Sequence, residues 1–192
     1  NAKIGFTNST GLKNPSLYAL YGTSGLGHTG NTGINAEKSE TNELFVEYKF
    51  LKNFTLNSTA YRTRMKDRIK VNSSWTAYEN KIPDTTQEGL ESELIYGDLN
   101  QRFSLMAHFS KSRTDSGGVN SRRPDLSYGA DYARKIATSK FGPLNLNLNY
   151  RHIGEHLDWT GSKNEFVKSV NLMYSSINKD WFGYNFSINI SN

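Results

Sequence analysis

Strict alternation limits this chain more than any other feature. In "GPLNLNLNYRH", residues 142–152, Leu144, Leu146, Leu148 and Tyr150 take turns with Asn145, Asn147, Asn149 and Arg151. A strand sends successive side chains to opposite faces, whereas a helix would scatter these leucines around its circumference. The segment is therefore a strand with one apolar face and one hydrogen-bonding face. Two architectures offer such a wall: a soluble sandwich or barrel, and a transmembrane barrel whose apolar face meets lipid and whose polar face meets an aqueous lumen.

The same period recurs along the chain. "ELFVEYKF" sets Leu44, Val46, Tyr48 and Phe50 against Phe45, Glu47 and Lys49, and "RFSLMAHFS" sets Phe103, Leu105, Ala107 and Phe109 against Ser104, Met106, His108 and Ser110. "DLSYGADYA" and "WFGYNFSINI" repeat it, and residues 2–8, 54–64, 88–96 and 167–175 do so more weakly. About nine strands result, too alternating for buried parallel strands or helices. Short connections near residues 51–53, 97–101, 138–142 and 177–180 separate long ones at 11–43, 67–86, 111–124 and 154–166. Because antiparallel strands reverse direction, short turns collect on one edge and long loops on the other, the layout of an outer-membrane barrel. Phe50, Phe54, Tyr96, Phe103, Phe141, Trp181 and Phe182 flank the short turns as an interfacial girdle. The expected fold is an all-β, antiparallel up-and-down transmembrane barrel, with residues 1–192 forming one partial barrel domain.

Composition fits this reading. No run approaches the roughly 18 apolar residues of a membrane helix, and a mean hydropathy of -0.67 is no obstacle when only alternate residues need be apolar. The chain has no cysteine, which excludes a disulfide scaffold and thiolate metal sites. A formal charge of +5 suits an anionic partner, and in a barrel that partner is lipid or ligand rather than nucleic acid. The chain opens on Asn1 and stops inside an alternating pattern, which reads as a fragment.

Several clusters invite chemistry. In "RTRMKDRIK", Arg62, Arg64, Lys66, Arg68 and Lys70 share one face of an extended strand. Counting about ten residues of lipid-exposed strand from Phe54 places Arg64, Lys66 and Arg68 at the outer headgroup level, where lipopolysaccharide phosphates would meet them. His152 and His156 stand about 13 Å apart on a strand, too far to share a metal ion, and His28 has no partner in sequence. No metal or resident cofactor is expected. His108, Ser110 and Asp131 fall on the lumen face, which raises an outer-membrane hydrolase, though no nucleophile elbow accompanies them. The Gly-rich "GTSGLGHTGNTG" lacks the ending of a phosphate loop, and the Asn-X-Ser/Thr matches need no glycan. Loop aromatics are more telling: Tyr18, Tyr21, Trp75, Tyr78 and Trp159 offer large contact area at low entropic cost, and Arg122 and Arg123 on the third long loop join them as candidate ligand contacts.

Taken together, several stretches resemble one family. "GFTNSTGLKNPSLYALYG" followed by "NTGINAEKSETNELFVEYKF" is similar to the strand-loop-strand segment F-K-x-P-x-L-x-Q-L-Y-G … N-P-x-L-x-P-E-K-S of TonB-dependent outer-membrane receptors. "TQEGLESELIYG", "SRRPDLSYGADY" and "LNYRHIGEHLDW" resemble later segments of that family in the same order, with departures at Asn14 and at Asn35 and Ala36. The resemblance implies a 22-stranded barrel filled by a plug, ligand capture by extracellular loops, and uptake of a scarce ligand, cobalamin or a ferric siderophore, driven by the TonB complex of the inner membrane. Within the family, the resemblance points to the cobalamin receptor as the subgroup. The plug, the first half of the barrel and the last strand would lie outside this chain. The expected protein is a transporter and not an enzyme. Its alternatives are a passive porin or adhesion barrel and, behind these, the outer-membrane hydrolase.

Overall fold

The computed structural model describes residues 1–24, 27–80, 84–114, 123–137, 142–159, 164–181 and 184–192. In chain order the elements are β1 (Ala2–Lys13), a short helix α1 (Leu17–Tyr21), β2 (Glu37–Leu51), β3 (Phe54–Lys66), β4 (Lys70–Val71), β5 (Tyr78–Glu79), β6 (Thr85–Gly97) and β7 (Gln101–Thr114). They continue as β8 (Leu126–Ile136), β9 (Leu144–Ile153), β10 (His156–Trp159), β11 (Asn164–Val167), β12 (Val170–Trp181) and β13 (Tyr184–Ser191). Nine of these strands form one antiparallel sheet in the order β1-β2-β3-β6-β7-β8-β9-β12-β13, an up-and-down meander with no crossover.

Register makes the two faces continuous. Phe6, Leu44, Ala60, Leu90, Phe109 and Leu126 are successive cross-strand partners, as are Tyr132, Leu148, Ser175 and Ile190. Partners across a ladder share a face, so the apolar sets of all nine strands add into one surface. The opposite surface carries rows such as Glu47, Asn57, Glu93, Met106, Gly129 and Arg151.

Burial is the reverse of a soluble core. Among the described residues only Ala19 and Ile34 are buried hydrophobics, and both belong to the first loop. Phe6, Leu44, Leu90, Phe109, Leu148 and Ile190 are exposed, while Thr85, Ser104, Ser110, Ser112 and Ser176 on the polar surface are buried. Loop segments fold over that polar side: Arg68 donates to Thr85 Oγ1 at 2.9 Å, Ile69 N to Glu37 Oε1 at 2.8 Å, and Ser110 Oγ to the Pro124 carbonyl at 3.0 Å. The polar surface is thus the inner one, and the apolar surface faces outward.

At the short-turn edge Tyr48, Phe50, Phe54 and Tyr96 form a ladder of rings with centroids 5.8, 5.5 and 4.9 Å apart. The tapering edge of a lipid-facing band is where such rings lie. Of the other girdle residues, Phe141 and Phe182 and the side chain of Trp181 lie outside the described residues.

The strands run further than their alternation indicated. β1 continues to Lys13, β2 begins at Glu37, β3 ends at Lys66, β6 begins at Thr85 and β7 reaches Thr114, so the expected loops 11–43, 67–86 and 111–124 are shorter. A 15-residue strand such as β2 climbs about 35 Å when tilted near 45°, against an apolar band of about 25 Å. Beyond the band both faces are wet and alternation fades. Residue 167 belongs to the small β10–β11 hairpin, and the strand expected from 167 starts at Val170.

The turn after β6 is held by one carboxylate. Asp98 accepts from the amides of Asn100 at 2.8 Å and Gln101 at 3.0 Å. The Asn100 amide first, and then the Gln101 contacts, hold its carboxyl below the usual carboxylate range. A depressed folded-state value means the contribution is present above the ordinary carboxylate value and lost as pH falls through the folded one. Amide protection at Asn100 and Gln101, corrected for intrinsic exchange, is expected to fall on acidification in the parent and to be independent of pH in Asp98→Asn.

Candidate ligand-binding site

The long-loop edge is built by two loops that interlock. Ser16 caps α1, its hydroxyl accepting from Ala19 N at 3.1 Å, and Gly22 N closes the helix on the Tyr18 carbonyl. The turn holds Tyr18 against the second loop. His28 stacks on Tyr18 with centroids 4.8 Å apart, and Tyr78 meets both rings edge-on at 5.6 and 6.5 Å. Backbone bonds reinforce the clasp: Thr29 N donates to the Thr76 carbonyl at 2.7 Å, and Asn31 Nδ2 to the Tyr78 carbonyl at 2.9 Å. Asn80 accepts from Asn35 N at 2.7 Å and donates to the Asn35 and Asp67 carbonyls. Residues 14–24, 27–36 and 67–80 therefore act as one platform. His28, which lacks a partner in sequence, is its hub, buried with Nε2 unpaired among the described residues.

Two aromatics crown the platform without joining the clasp. Tyr21 is 67% exposed and Trp75 is 77% exposed. Trp75 has φ 61, a left-handed backbone that a bulky side chain adopts at a cost of about 1–3 kcal/mol. Asn72 over-determines that turn, since its Oδ1 accepts from Thr76 N at 2.9 Å and its carbonyl from Trp75 N at 3.0 Å. The strained turn thus holds a large ring in solvent.

Below the platform the inner wall is a polar network. Arg123 donates to Gln87 Oε1 at 2.6 Å, Gln87 Nε2 to Tyr61 Oη at 3.3 Å, and Tyr61 Oη shares a 3.0 Å hydrogen bond with His108 Nε2, itself 3.6 Å from Glu91. The third loop is thereby tied to the lumen wall. On the next strands Arg151 lies across Gly129 and grips Asp131 with two bonds of 3.1 and 3.0 Å, while Asn149 also donates to Asp131. Glu91, Glu93, Met106, His108, Ser127 and Arg151 line a trough of about 600 Å³ along this wall.

The structure sorts the sequence-derived candidates. Tyr18 and Tyr78 come together as a structural clasp, Tyr21 and Trp75 stand exposed beside it, and Arg123 turns into the lumen wall. Arg122 and the side chain of Trp159 lie outside the described residues. The five-residue basic stripe breaks: Asp67 adopts φ 53 and ends β3, so Arg62, Arg64 and Lys66 face outward whereas Arg68 turns inside onto Thr85 and Lys70 opens β4. His108, Ser110 and Asp131 are not assembled into a triad, because their side chains bond to Tyr61, Pro124 and Arg151 respectively. His152 pairs with Asn171 and His156 with the Gly154 carbonyl.

The sequence matches the family model "TonB dependent receptor-like, beta-barrel" over residues 6–192. No curated protein matches it. Among solved structures, the FrpB iron transporter from Neisseria meningitidis (F5-1 variant) superposes with TM-score 0.77 at 14% identity, over 100% of this chain and 32% of that one. The ferric-catecholate import receptor Fiu from E. coli K12 gives 0.72 at 15% identity, over 100% and 28%. The ferripyoverdine receptor of the Pseudomonas aeruginosa outer membrane, bound to ferripyoverdine, gives 0.73 at 14% identity, over 100% and 27%. The chain thus spans a third or less of the length of these three solved structures, and at such identities the likeness is one of fold.

Proposed function

Because the chain belongs to the TonB-dependent receptor-like β-barrel family, we propose that it forms wall and ligand-facing loops of an outer-membrane receptor that imports a ferric siderophore under drive from the inner-membrane TonB complex. The observation that carries this reading is the division of one sheet into an uncovered apolar exterior and a polar interior, with an interlocked, aromatic-tipped platform at the long-loop edge. The rest of the receptor would supply the closure to 22 strands and the plug on which TonB pulls. Ligand contacts are Tyr21 and Trp75 on the platform, with Arg122, Arg123 and Trp159 from the later loops. Iron arrives as cargo in the siderophore. No catalytic step is needed.

The test uses a receptor-length protein carrying this segment, produced in cells lacking other siderophore receptors. Radio-iron siderophores of catecholate and hydroxamate type are set against labelled cobalamin. Accumulation of one ferric siderophore that ceases without TonB is the expected result; TonB-dependent accumulation of cobalamin would overturn the ligand assignment, and TonB-independent leakage of small sugars would overturn the receptor assignment in favour of a porin. Trp75→Gly relieves the positive φ, so stability is retained or raised while siderophore affinity falls about tenfold, as for a central aromatic anchor.

A further inference from the structure

The outward face is not uniform at its outer end. Cross-strand register places Lys38 beside Lys66, Arg64 beside Thr86 and Arg113, and Arg62 beside Glu88 and Lys111. Six cations therefore gather on β2, β3 and β7, flanking Thr86 and Glu88 of β6. The same face of β1 carries Asn8 and Thr10, and that of β9 and β12 carries His152 and Asn171. Arg62, Arg64 and Lys38 have carboxylates at 3.4, 3.3 and 3.9 Å. Lys66, Lys111 and Arg113 are exposed, with no ion pair among the described residues.

Directly below lies a groove of about 670 Å³, whose outward-facing lining comprises Arg62, Glu88, Leu90, Phe109, Lys111 and Leu126. Its outer end is charged and its inner end apolar, the profile of an amphiphile lying along the wall. An acyl chain fits against Leu90, Phe109 and Leu126, and a phosphate then reaches the cations above, where charge-assisted bonds are strongest.

We propose that this groove and the cation rows above it form a site for a phosphorylated, multiply acylated lipid of the outer leaflet, the chemistry of lipopolysaccharide. The phosphates lie on Lys66, Lys111 and Arg113, with Arg62 at the groove's lip. Arg68, turned inward, takes no part. The site rests on the outer-membrane reading, and its test separates the two.

The receptor-length protein is recovered from outer membranes, its heat-modifiable band confirming assembly, and retained lipopolysaccharide is measured after detergent purification. The triple variant Lys66→Gln, Lys111→Gln, Arg113→Gln is expected to retain about tenfold less. A control with the same charge change on the lumen face and inner turn, Lys3→Gln, Lys52→Gln, Lys135→Gln, is expected to match the parent. Lipopolysaccharide stripped of phosphate is expected to bind the parent as weakly as the intact lipid binds the triple variant. Equal retention by the two triples, or equal binding of the stripped lipid, overturns the site while leaving the membrane assignment intact; a parent absent from outer membranes overturns both. Should the triple fail to assemble, Lys111→Gln alone is expected to lose about threefold, and no loss overturns the site.

Discussion

Leu148→Arg is expected to destabilise the folded receptor in bilayers by about 2–4 kcal/mol, whereas Asn147→Arg, one residue away, costs about 1 kcal/mol or less. The difference comes from parity. Leu148 lies near the middle of β9, exposed on the outward surface between Tyr132 and Ser175, where a cation meets hydrocarbon at the depth of greatest penalty. Asn147 faces the lumen, where its Nδ2 donates to Ser176 Oγ at 3.1 Å. An arginine there loses one hydrogen bond and keeps its solvation. Urea titration of each variant in lipid vesicles measures the gap. If both arginines cost the same, or if the one at 148 costs nothing, the outward surface does not face lipid.

Alternation in the sequence disclosed the nine strands and their apolar and polar faces because a barrel wall enforces it residue by residue. It could not disclose strand ends, since Lys38, Glu40, Lys111 and Arg113 continue the outward face past its apolar residues, where both faces of the strands are polar. The basic stripe keeps one face only as far as Lys66, and Arg68 and Lys70 leave it. Asp tolerates the left-handed backbone better than most residues, and Asp67 uses that tolerance to stop β3 and send Arg68 inward. The platform was legible in its parts and not in its assembly. Tyr18 and Tyr78 drew notice as loop aromatics, but their union depends on His28, and no local pattern joins loops some fifty residues apart. The Arg123–Gln87 and Arg151–Asp131 contacts were hidden for the same reason: only register and loop path bring those partners together.

Gly129→Ala is expected to cost about 3 kcal/mol or more, although the same change in an unconstrained strand would be mildly stabilising through the unfolded chain. A Cβ at 129 would stand 2.5 Å from the Tyr150 carbonyl oxygen and 2.7–2.8 Å from Arg151 Nη1 and Cδ. The carbonyl belongs to the β8–β9 ladder and cannot retreat without breaking it, and the guanidinium can retreat only by releasing Asp131. Asp131 is about one-third exposed, so water offsets part of that second loss. Gly97→Ala, whose nearest neighbour would be 3.7 Å away, is expected to change stability by no more than about 0.5 kcal/mol. A double variant separates the two causes at Gly129. In an Arg151→Ala background the arginine clash is gone and the carbonyl clash stays, so Gly129→Ala should still cost about 2 kcal/mol. A cost near zero in that background would assign the whole effect to the arginine, and a cost near zero in the parent would mean that β8 and β9 do not approach this closely in the assembled wall.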